Sequence, residues 1–121
     1  MGTNYQQEYT EFMSKYRSGV VGPESIGKTI AQFGQYFGEA NRRFAEALKA
    51  YRKIAAQFEG STDDTSGKAI SSAKASKLAE ATKESDNLLD AKTELENVDK
   101  QIMTLSLLQK SIISEFGHPS I

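Results

Sequence analysis

Apolar positions along this chain recur at intervals of three and four. From Ile26 they run Ile26, Ile30, Phe33, Phe37, Ala40, Phe44, Ala47, Tyr51, Ile54 and Phe58, alternating steps of four and three without a miss. An α-helix turns once in about 3.6 residues, so this spacing lines one face and predicts a helix over 23–58 that lies against another helix. Pro23 suits the first helical position, where its missing N–H costs nothing. Glu24 falls in the first turn, where a carboxylate meets the positive end of the helix dipole.

A second seam closes the chain: Leu88, Ala91, Leu95, Val98, Ile102, Leu105, Gln109, Ile112 and Phe116. Upstream of it Ala73, Leu78, Ala81 and Ser85 give a poorer stripe in a different phase. The expectation is one helix over 68–116 whose register slips near Ser85–Leu88, ended by Gly117 and Pro119. Between the seams, residues 59–67 concentrate Gly, Ser, Thr and Asp and predict the loop of an αα-hairpin. At the start, Tyr5, Tyr9, Phe12 and Tyr16 predict a short amphipathic helix over about 3–16, broken by the segment Arg17–Gly22.

These elements define an all-α fold: a long antiparallel, coiled-coil-like hairpin with a short N-terminal amphipathic helix, in one domain over 1–121. At a 1.5 Å rise the two arms would measure about 54 Å and 73 Å, and the N-terminal helix about 21 Å. That helix is expected to extend the shorter arm and cover the excess of the longer one. Gly34 and Gly38, four apart, would let a neighbouring backbone come close.

Composition narrows the function. The 121 residues carry 15 Lys and Arg against 16 Asp and Glu, so bulk charge implies neither nucleic acid nor an anionic membrane as partner. With no cysteine, disulfides and thiol catalysis are excluded. One histidine, His118, offers no base with an orienting partner, and no metal set is expected. No apolar run reaches the ~18 residues of a membrane span, and Met1–Tyr16 lacks the pattern of a cleaved secretory signal. A cytoplasmic location and export without a cleaved signal remain open. Charge is unevenly placed: Arg42–Lys83 is net +4 and Glu84–Gln101 net −4, which would favour staggered neighbours.

One chemical motif stands out. Residues 22–29, Gly-Pro-Glu-Ser-Ile-Gly-Lys-Thr, match the phosphate-binding pattern G-x-x-x-x-G-K-[ST]. Nucleotide binding would use Gly22, Gly27, Lys28 and Thr29. That chemistry needs a buried strand before the loop, and only Val20 and Val21 are there. The basic stretch Arg42, Arg43, Lys49, Arg52 and Lys53 has its aromatics, Phe44 and Tyr51, on the seam, which argues against base stacking.

Two short segments resemble exported helical proteins. Phe58-Glu59-Gly60 resembles the Trp-x-Gly turn of small secreted hairpins of type VII systems, with Phe in place of Trp and a longer loop and second helix. Ser111–Phe116 resembles the apolar C-terminal helix of type III needle-like subunits. Each resemblance implies a hairpin that works by assembling; neither places the chain in a family.

The expected function is therefore non-enzymatic and cofactor-free: association with itself or with another helical protein, in a structural or secretion-type role. Phe33, Phe37, Phe44, Leu95, Ile102 and Ile112 would hold the hairpin seam. Tyr9, Phe12, Met103, Leu107, Leu108 and Ile113 would meet the partner, because the last helix is apolar on more than one side. The alternatives are a monomeric adaptor that captures an amphipathic helix, and nucleotide binding through 22–29.

Overall fold

The computed structural model describes residues 5–62 and 66–117, the last three by backbone alone. Four helices follow in order: α1 (Tyr5–Arg17), α2 (Pro23–Glu59), α3 (Ser72–Glu80) and α4 (Lys83–Gly117). Among the described residues there is no strand, only an isolated bridge between Thr62 and Ala69. Helices α2 and α4 pack against each other as the antiparallel hairpin that the two seams predict. His118, Pro119 and the loop residues Asp63–Thr65 lie outside the described residues.

The chain divides into two compact units, one made of residues up to Glu39 with those from Glu96, the other of Ala40–Leu95. In the first unit α1 meets the start of α2 and the latter part of α4. Its core joins Tyr5, Phe12, Ile26, Phe33, Tyr36, Val98, Leu105 and Ile112. Ile26, Phe33, Val98 and Leu105 are wholly enclosed. Phe37 and Ile102 pack against this core from its margin.

A 13-residue helix such as α1 is marginal in water and depends on packing for its order. Phe33 supplies part of that packing, with its ring edge-on to Tyr9 at 6.1 Å and to Tyr36 at 5.3 Å. Helix α1 thus lies beside α2 and does not extend it, which corrects the end-to-end arrangement expected from length. The reversal is made by Gly19, whose φ of 78° few other residues tolerate. Its amide donates to the Tyr16 carbonyl, and that of Val20 to the Lys15 carbonyl, which closes the end of α1.

In the second unit the single helix expected over 68–116 is two helices. Helix α3 starts only at Ser72, where the Ser71 hydroxyl accepts from the Lys74 amide at 3.1 Å. The chain then breaks at Ala81–Thr82. The Thr82 hydroxyl accepts from the Ser85 amide at 3.2 Å and donates to the Ala79 carbonyl at 2.6 Å, so one side chain ties off both helices. Helix α3 buries Ala75 and Ala79, while Ala73, Leu78 and Ala81 of the expected stripe are exposed. With α4 starting at Lys83, its 35 residues nearly match the 37 of α2, and the predicted excess length disappears. Phe44 and Leu95 sit half-buried on the seam of this unit.

Candidate functional site

In the first unit α4 presents two sides. Val98, Leu105 and Ile112 point into the core. On the outer side Met103, Leu107 and Ile113 are 60%, 65% and 52% exposed. Leu108 packs against the core, as does Tyr9, and Phe12 is buried in it. One side of the apolar band on α4 is thus turned to the core shared with α1 and α2, and the other is open. Of the six residues expected to meet a partner, Met103, Leu107 and Ile113 are on the surface. Phe12 is buried in the core, and Tyr9 and Leu108 pack against it.

Tyr36 was not among the residues singled out from sequence, yet it joins α1 to α2. Its hydroxyl donates to the Glu8 carboxylate. Burial, reinforced by the Glu8 contact, raises its pKa above the ordinary 10.0. The signal for its burial is its place three residues after Phe33 and four before Ala40, a second stripe beside the main seam.

Residues 23–29 of the phosphate-binding pattern form the first two turns of α2, with Gly22 just before it. The Ile26 amide donates to the Gly22 carbonyl at 3.3 Å, and the amides after it belong to the helical ladder. Lys28 lies 3.6 Å from Glu24 with both side chains in solvent, and the Thr29 hydroxyl donates to the Ser25 carbonyl at 3.1 Å. Gly22, Gly27, Lys28 and Thr29 therefore do not form the strand–loop–helix cradle of amides that phosphate binding uses. A Cβ at Gly27 would make an ordinary contact, 3.8 Å from the Gln109 side-chain nitrogen, so packing does not require glycine there. Gly34 and Gly38 have open space around them, so the close approach expected there does not occur within the chain.

Two open grooves mark the surface. One, about 260 Å³, lies between α1 and α2 and mixes Glu8, Glu11, Lys15, Lys28 and Thr29 over the ring of Phe12. The other, about 430 Å³ and within the second unit, has Ala47, Ala50 and Ala91 in its lining together with Glu84 and Asp90. Arg43 and Glu94, the ion pair between α2 and α4, also line it. In the first groove the Thr29 hydroxyl is engaged by the Ser25 carbonyl, and Lys28 by Glu24, which lies outside the lining. Among the described residues no cluster of His, Cys, Asp or Glu could hold a metal ion, and no helix is long and apolar enough to cross a membrane. The buried oxygen of the Gln101 side chain has no hydrogen-bond partner among the described residues, a local cost to the fold.

Compared with family models, curated proteins and solved structures, the chain matches none.

Proposed function

We propose that this chain is a non-enzymatic association module whose working surface is the outer side of α4 around Met103 and Leu107. The observation that carries the reading is the exposure of Met103, Leu107 and Ile113 at more than half while Val98, Leu105 and Ile112 of the same helix are buried in the core. Fully burying one such side chain releases about 1.5–3 kcal/mol, so a surface that covers several of them gains enough to hold a partner. Isolated exposed apolar residues are ordinary; three within eleven positions on one side of a helix are a patch. The partner is a second copy of the chain.

The experiment is sedimentation over a wide concentration range. The expected result is a mass that rises with concentration, lost in Met103→Asp and in Leu107→Asp while helical circular dichroism is kept. Leu108 is not a suitable target, because it packs against the core and its loss would unsettle the fold. A wild-type mass that stays monomeric at every concentration refutes the reading.

A further inference from the structure

Charge changes sign along this outer side of α4. Glu96, Met103 and Lys110 are seven residues apart and so share one line on the helix. Asp99 lies on the acidic side of Met103 and Leu107 on the basic side, and all five side chains are exposed. Glu96, Asp99 and Lys110 take part in none of the ion pairs among the described residues.

Resting on the association reading above, we infer that α4 pairs with α4 of a second copy in antiparallel orientation, about a two-fold axis close to Met103. A parallel pair would set Glu96 beside Glu96 and Lys110 beside Lys110. An antiparallel pair about Met103 sets Glu96 of each copy across from Lys110 of the other, twice over, with Asp99 across from Leu107, because a two-fold interface repeats every contact. Lys100 interrupts the pattern near the apolar centre; its stem can lie along Met103 with the ammonium in water. The strip over 96–113 is about 27 Å long and about 10 Å wide. That falls well short of the ~800 Å² per partner of a stable interface, so the pairing is weak and depends on concentration and salt.

Charge exchange tests the orientation. Glu96→Lys and Lys110→Glu should each weaken association about tenfold, since each turns two attractions into two repulsions, and the double exchange should restore it. Because the chain has no cysteine, introduced thiols report cleanly. Under oxidation Glu96→Cys protein should not cross-link to itself, whereas a mixture of Glu96→Cys and Lys110→Cys proteins should. If Met103→Asp disperses the protein but the double exchange fails to rescue, or Glu96→Cys links to itself, the antiparallel orientation is wrong and the association surface stands. If the wild type is monomeric throughout, the surface itself is refuted.

Discussion

Tyr36 of α2 donates its hydroxyl to Glu8 of α1 while its ring stands edge-on to Phe33 at 5.3 Å. One side chain thus belongs to the core and to the polar tether at once. The hydrogen bond adds to the burial of Tyr5 and Phe12 in holding α1 against α2.

Replacing Tyr36 by Phe keeps the ring and removes the tether. Glu8 is exposed and regains water, so the loss should be small, about 1 kcal/mol, measured by urea unfolding.

Stability should also depend on alkaline pH through this residue. The Tyr36 pKa is raised in the folded chain, first by burial and then by the Glu8 contact. Folding therefore favours its protonated form. The associated stability is fully present below the unfolded value of 10.0 and is lost as pH rises through the higher folded value. The fall in urea midpoint between pH 9 and pH 11 should be larger for the wild type than for Tyr36→Phe. Equal falls would show that the raised value has no thermodynamic weight.

Phe33→Ala should be among the most damaging single changes. The ring is wholly buried and touches both Tyr9 and Tyr36, and truncating a buried Phe typically costs 3–5 kcal/mol. Phe44→Ala, at a half-buried seam position, should cost clearly less. Thermal or urea denaturation ranks the two; a larger loss at Phe44 would contradict the placement of the core.

The Arg43–Glu94 pair should contribute little despite joining α2 to α4. Its side chains are 33% and 30% exposed, and pairs open to water contribute about 0–1 kcal/mol. A double-mutant cycle with Arg43→Ala and Glu94→Ala should give a coupling below about 1 kcal/mol that shrinks in high salt.

Gly34→Ala and Gly38→Ala should each stabilise α2. Both glycines are inside the helix with nothing within 4 Å of a built Cβ, and glycine there costs about 1 kcal/mol relative to alanine. Gly67→Ala should do the reverse, because its φ of 69° strains any residue with a side chain. Shifts in thermal midpoint check all three.

The hairpin was legible because its two seams hold their phase for many turns, and only helices paired along their length bury such stripes. Positions on the flanks of a seam were harder. Tyr36 and Leu108 each adjoin a seam position and were ambiguous until α1 supplied a second surface to bury them. The inward turn of Leu108 can be found in the sequence, since it lies three after Leu105 and four before Ile112. Why α1 folds back was not deducible from helix lengths; it depends on a glycine with positive φ and on aromatic contacts far apart in the chain. The break before α4 also left a trace: Thr82 followed by Glu84 and Asp86 is the pattern of a helix start. A weak stripe on either side made it look like a slip of register within a continuous helix.

The knot of hydrogen bonds at Thr82 has an evolutionary corollary. Because α4 begins afresh there, a residue gained or lost between Gly60 and Ala81 would be absorbed before Lys83 and would not rotate any later side chain about its axis. A single deletion within α4, by contrast, would turn every later side chain by about 100°, and one between Val98 and Leu105 would carry those two out of register with each other.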